Sequence, residues 1–121
     1  MKVSLTGFKI PVDNLDDAIE FYTKKLFFSL LFSEDSFGWA TVQLENQNVG
    51  LYIPGKDGGD RTVGGTLDFS FLIDDFQKYF EKVKEQTRDV SSDVITTADN
   101  LKIFETTDPS GNVVTFRELP E

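Results

Sequence analysis

The chain has 121 residues, of which 39% are hydrophobic, and carries a net charge of −9; it is long enough for one compact domain that buries roughly two-thirds of its unfolded surface. The charge repels nucleic-acid phosphates and anionic membrane surfaces, leaving solubility or a taste for cationic ligands as its use. With no cysteine there is no disulfide framework or thiol chemistry, and with no histidine the commonest metal ligand and general base are missing.

Residues 7–12 alternate Gly7, Lys9 and Pro11 with Phe8, Ile10 and Val12, the two-residue period of a half-buried strand. The period then changes. Leu15, Ala18, Ile19, Tyr22 and Leu26 mark one face of a helix, with Asp13 or Asn14 as N-cap and Asp16, Asp17 and Glu20 near its positive end. Residues 27–32 (FFSLLF) read as the helix end and a buried strand, and residues 33–36 as a turn. Residues 37–44 form a strand with Phe37, Trp39, Thr41 and Gln43 on one face and Ala40, Val42 and Leu44 on the other. Residues 45–48 (ENQN) supply hairpin chemistry, and residues 49–53 return.

Residues 54–66 (PGKDGGDRTVGGT) are a glycine-rich connector. They lack the GK[ST] ending of a phosphate loop and no helix follows, so the reading is a plain link, with closure over a cleft left open. The pattern then repeats. Gly7 corresponds to Asp68, Asp13 to Asp74 and Leu15 to Phe76, all 61 positions apart. Phe69, Phe71 and Ile73 alternate along a strand, and Phe76, Tyr79, Phe80 and Val83 mark a helix. Residues 87–93 are polar, a short strand is expected near 94–96, and residues 101–107 and 112–119 are strands flanking the turn Asp108-Pro109-Ser110-Gly111. The chain is thus two copies of one βαβββ module, 1–53 and 67–121, too few for a solenoid and expected to pair pseudo-symmetrically.

The duplicated strand and [VI]-D-[ND]-[LF] cap, the FY within the first helix and the closing DPSGNVVTF resemble the vicinal oxygen chelate superfamily, which includes glyoxalase I, bleomycin resistance proteins and extradiol dioxygenases. The resemblance covers almost the whole chain. It implies an α+β fold in which two modules form a mixed sheet curled around a cavity, helices outside. The cavity face would carry Gly7, Lys9 and Pro11, Asp68, Ser70 and Leu72, Val49, Leu51 and Ile53, Val113, Thr115 and Arg117, and Phe37, Trp39, Thr41 and Gln43. Phe8, Ile10, Val12, Phe69, Phe71 and Ile73 would face the helices.

Metal-dependent relatives place two ligands per module, and the matching positions here are Gly7, Leu51, Asp68 and Thr115. Asp68 alone is a good anionic ligand, whereas a transition metal wants three or four donors. Glu45 or Glu105 could be displaced ligands beside Asp68, though the parity of Glu105 is open. Asp68 is equally a strand carboxylate paired with Lys9 or Arg117. Trp39 and Phe37 are either core or a platform for a flat or cationic ligand.

The pattern is similar to the metal-free bleomycin resistance type, which implies a non-catalytic, cofactor-free homodimer binding a small molecule that is cationic or aromatic, such as an antibiotic. The candidate cavity residues are Lys9, Phe37, Trp39, Thr41, Gln43, Leu51, Asp68, Ser70, Thr115 and Arg117. Two alternatives stay open: a metal-dependent lyase, isomerase or dioxygenase with displaced ligands, and a partner-binding domain whose cavity is filled. No apolar run reaches membrane-span length and Met1 leads straight into the first strand, so a cytoplasmic protein is expected, with no nucleic-acid or membrane partner.

Overall fold

The computed structural model describes residues 1–5, 7–87, 90 and 94–120. The chain forms two compact units, residues 1–63 and 64–121.

In the first unit the order is β1 (Phe8–Pro11), α1 (Leu15–Glu20), β2 (Ser29–Glu34), β3 (Trp39–Leu44) and β4 (Gln47–Tyr52). The four strands make one mixed sheet in the order β1-β4-β3-β2, with β1 parallel to β4 and the other pairs antiparallel. Asn14 caps α1, its side-chain oxygen accepting from the Asp17 N–H at 2.9 Å. Rather than ending, the helix widens into a π-turn over Phe21–Lys25, where the Leu26 N–H reaches the Phe21 carbonyl. Phe27 then takes a left-handed φ of 67°, and the Phe28 N–H closes on the Tyr22 carbonyl at 2.9 Å, stopping the helix where glycine would ordinarily stand.

Helix α1 packs chiefly over β3 and β4. Ile10, Val12, Ala40, Val42, Val49 and Leu51 are fully buried on that face, together with Leu15, Ala18, Tyr22 and Leu26. Burial of these side chains is the main stabilising term for the unit. Strand β2 corrects the expectation of a buried strand over 27–32, because all six of its residues are exposed. It is an edge strand, bonded among the described residues only to β3, and α1 packs over β3 and β4 instead. The strand also continues through residues 33 and 34 before a single 3-10 turn at Asp35–Phe37, so the turn expected at 33–36 starts later.

The second unit repeats the plan: β5 (Gly65–Ile73), α2 (Phe76–Gln86), β6 (Ile95–Thr96), β7 (Lys102–Thr107) and β8 (Asn112–Glu118), in sheet order β5-β8-β7-β6. Strand β5 begins inside the stretch expected to be connector. Of the polar stretch 87–93, only Thr87 and Val90 are among the described residues. Phenylalanines build the core between sheet and helix. Phe71, Phe116 and Phe104 stack in succession at 5.3 and 4.9 Å, and Phe76 and Phe80 close on Phe104 from α2 at 5.5 and 5.1 Å.

The DPSGN turn braces this unit. Asp108 is buried and accepts from the backbone N–H groups of Ser110 and Asn112 and from the Asn112 side-chain amide, each at 2.9 Å. Asn112, fully buried, accepts in turn from the Gly64 N–H at 3.0 Å, tying the start of β5 to the start of β8. The motif that best identifies the sequence pattern is therefore a structural clasp.

Candidate functional site

The face of the first sheet turned away from α1 carries the candidate site. Register sets its rows. Lys9 on β1, Gly50 on β4 and Thr41 on β3 lie side by side, and Pro11, Tyr52 and Trp39 form the next row. Side chains directly opposite one another in a sheet share a face, so Lys9, Trp39 and Thr41 meet there as the alternation predicts.

The Trp39 indole lies flat over Gly50, where an added Cβ would stand 2.3 Å from two ring carbons. Its Nε1–H donates to the Thr41 hydroxyl oxygen at 2.9 Å, which fixes the ring in its plane. Tyr52 stacks nearly parallel to it, with centroids 6.5 Å apart and planes inclined by 21°. Residues 54–63 then fold back onto this face. Gly58 is buried against both rings, and a Cβ there would stand 2.5 Å from Tyr52 Cβ and 2.9 Å from the indole. Lys9 Nζ donates to the Gly58 carbonyl at 2.7 Å and sits 5.4 Å over the Tyr52 ring. Arg61 Nε donates to the Tyr52 hydroxyl at 3.4 Å, and its Nη2 reaches the Lys9 carbonyl at 3.5 Å. The glycine-rich stretch is thus more than the plain link its composition suggests: it packs on Trp39, Tyr52 and Lys9 within the first unit.

Beside Trp39 lies a pocket of about 460 Å³ lined by Gly7, Phe8, Lys9, Trp39, Thr41, Asn48 and Gly50. Asn48 Oδ1 is buried there with no hydrogen-bond partner among the described residues. Gly7 has a φ of +143° and no room for a side chain, since a Cβ would meet the Asn48 carbonyl oxygen at 2.5 Å. The pocket offers an indole, a hydroxyl, an amide and one ammonium. Among its lining residues there is no carboxylate.

Several expected cavity residues stand elsewhere. Leu51 is fully buried beside Ile10 and Ala40 on the helix-facing side, so its place on the cavity face is corrected. The same correction moves Val49 to the helix side. Phe37 lies in the 3-10 turn outside any strand, 49% exposed, so strand alternation does not aim it. Gln43 shares the face of Thr41 but does not line the pocket. Asn48, Gly50, Tyr52 and Gly58 were not anticipated. The apolar pair Val49 and Leu51, matching Ala40 and Val42, was the available signal that the intervening residues face the other way.

In the second unit Ser70, Thr115 and Glu105 form one row across β5, β8 and β7, which fixes the parity of Glu105 on the face away from α2. Leu72, Arg117 and Ile103 form the next row. Asp68 is exposed on β5, inside a register irregularity between Thr66 and Ser70.

The model of the Glyoxalase/Bleomycin resistance protein/Dioxygenase superfamily matches residues 4–116. The chain belongs to this superfamily. Solved structures agree on the two-module α+β fold. A superfamily member from Sphaerobacter thermophilus superposes with a TM-score of 0.80 at 20% identity, covering 96% of this chain and 98% of that one. TioX from Micromonospora sp. gives 0.79 at 14% identity, with 97% and 100% covered. Lactoylglutathione lyase from Agrobacterium tumefaciens gives 0.79 at 17% identity, with 98% and 96% covered. No curated protein sequence matches the chain.

The superfamily's metal positions can now be placed by internal register. Lys9 and Ser70 are equivalent, and they pair with Gly50 and Thr115 respectively. The counterpart of Thr115 is therefore Gly50, one residue before the Leu51 position taken from the sequence. The superfamily set becomes Gly7, Gly50, Asp68 and Thr115. The first unit supplies no side-chain donor, and Trp39 covers Gly50. One carboxylate and one hydroxyl from the second fall short of the three or four donors a divalent metal needs. Among the described residues no group of three or more His, Cys, Asp or Glu could hold a metal ion. Glu45, a candidate displaced ligand, is exposed in the β3–β4 turn. The side chains at these four positions do not fit a divalent transition metal.

Among the described residues, no helix is long and apolar enough to cross a membrane.

Proposed function

We propose that this superfamily member is a metal-independent, non-catalytic protein that binds and sequesters a small molecule in the first-unit pocket. The observation that carries the reading is the pocket itself: about 460 Å³, walled by Trp39, with a few fixed polar groups. That is the size and character of a small-molecule site. Among the described residues no side chain lining it is paired with an acid or base suited to proton transfer, which supports binding over turnover. An antibiotic or another flat aromatic compound fits the indole platform.

Two measurements test this. Titration of Trp39 fluorescence with metal-free bleomycin and a panel of planar aromatics, corrected for inner-filter effects and repeated with Trp39→Phe, is expected to saturate at about one ligand per pocket. A flat response across the panel defeats the reading. Elemental analysis after growth in metal-rich medium is expected to find no stoichiometric transition metal; a full equivalent per chain would favour a metal-dependent enzyme instead.

The second part of the proposal is a homodimer joined through β2. Leu30, Leu31 and Phe32 are about half exposed on a strand whose outer edge has no neighbour in its sheet among the described residues. An exposed apolar edge invites a second copy of the same edge. Light scattering should give the dimer mass for the native protein and the monomer mass for Leu31→Lys. A native monomer rules the dimer out.

A further inference from the structure

We infer that the first-unit pocket selects an anion, specifically a planar aromatic carboxylate, and that Lys9 is the group that recognises it. The inference rests on the proposed binding role of this pocket and narrows its ligand class. Lys9 alone among the seven lining residues is ionisable. Its ammonium is held in place: it donates to the Gly58 carbonyl at 2.7 Å and lies 5.4 Å from the Tyr52 ring centroid. An ammonium has three donors, and the Gly58 bond uses one. Arg61 adds a second positive charge at the same corner through its contacts with Tyr52 and the Lys9 carbonyl.

Thr41 points the same way. The Thr41 oxygen accepts from the Trp39 indole, which leaves the hydroxyl proton to donate outward. Beside these donors the indole offers a flat apolar surface. A chain of net charge −9 has little general reason to fix a cation at a pocket wall. Asp57 and Asp60 are exposed on the neighbouring loop and do not line the pocket. A cationic ligand would meet an unmatched ammonium here, which disfavours it. A carboxylate would gain a charge-assisted hydrogen bond from the donors of the ammonium that the Gly58 bond leaves over.

The test uses three probes of one shape: 2-naphthoate, neutral 2-naphthamide and cationic 2-naphthylmethylammonium. Each is titrated by calorimetry, and the single indole N–H resonance of Trp39 locates binding by NMR. 2-Naphthoate is expected to bind about tenfold or more tighter than the amide, with the ammonium weakest. Lys9→Met should erase the naphthoate advantage while leaving naphthamide binding in place, which shows the pocket still folded. Lys9→Arg should keep the advantage. Equal binding of all three probes, or preference for the cation, overturns the inference but leaves the binding pocket intact. A naphthoate preference that survives Lys9→Met overturns the role of Lys9. Failure of all three to move the Trp39 resonance overturns both this inference and the pocket as a site for planar aromatics.

Discussion

The indole of Trp39 and the bare backbone of Gly50 are one fitted pair: the ring lies where a Gly50 side chain would be, 2.3 Å from the position of its Cβ. Strand pairing places Gly50 beside Thr41, and the Thr41 hydroxyl holds the indole in that plane. Gly50→Ala should therefore push the ring off the sheet and away from Gly58. Overpacking of this kind costs about 1–3 kcal/mol. Urea unfolding should show the loss, and the emission of the lone tryptophan should move to longer wavelength as the ring gains water. An unchanged spectrum and midpoint would mean the pair is not fitted.

The clasp between Asp108 and Asn112 makes a second expectation. Both side chains are buried, and Asn112 links the Asp108 carboxylate at 2.9 Å to the Gly64 N–H at 3.0 Å. Asn112→Ala strands the Gly64 N–H and removes a donor from a buried carboxylate. The expected cost is about 2–4 kcal/mol, since hydrogen bonds to charged groups and orphaned buried polar atoms each count for more than an ordinary bond. Equilibrium denaturation in urea checks it. A loss below about 0.5 kcal/mol, the usual range of an unremarkable surface change, would remove the clasp from the account of this motif.

These two pairs mark how far the sequence could be read. The offset of 61 between Gly7 and Asp68 exposed the duplication, and the alternation of Ile10 and Val12 and of Ala40 and Val42 assigned the helix-facing side of those strands. Those signals are local and depend on a single period. The assignment of Leu51 failed because it rests on which residue of β4 opposes which residue of β1 and β3. That register is set by the length of the β3–β4 turn, and a shift of one residue exchanges the two faces. The role of residues 54–63 was illegible for a similar reason. Glycine-rich composition does not reveal that Gly58 and Gly50 both make room for Trp39, because the match exists only once β3 and β4 are paired. In β2 the apolar run of Leu30, Leu31 and Phe32 reads as core by composition, while its edge position leaves it exposed.

The β3–β4 turn offers a stabilising change. Glu45 opens it with a left-handed φ of 53° and an exposed side chain. Left-handed backbone is costly for a residue with a Cβ, and two-residue hairpins favour glycine where φ is positive. Glu45→Gly should relieve that strain and lose little side-chain contact. A gain of about 0.5–1 kcal/mol in urea unfolding is expected, reduced in part by the greater freedom of glycine in the unfolded chain. Destabilisation would show that Glu45 contributes a contact worth more than the strain.

Tyr79 should weaken the fold at alkaline pH. Its ring packs 5.2 Å from Phe116 and 6.1 Å from Phe104, and burial pushes its hydroxyl well above the ordinary phenol range. In the unfolded chain the same group ionises near a pKa of about 10. A folded-state pKa raised above the unfolded one means the native protein keeps the proton that the unfolded chain releases. Stability from this group is therefore fully present below pH about 10 and falls as pH rises beyond it toward the folded value. Tyr79 is only part-buried as a residue, so the fall should be gradual. Urea midpoints measured from pH 8 to pH 11 should decline less in Tyr79→Phe than in the native protein above pH about 10, and should run parallel below it. Parallel curves over the whole range would mean that Tyr79 ionises alike in both states and that another group governs the alkaline transition.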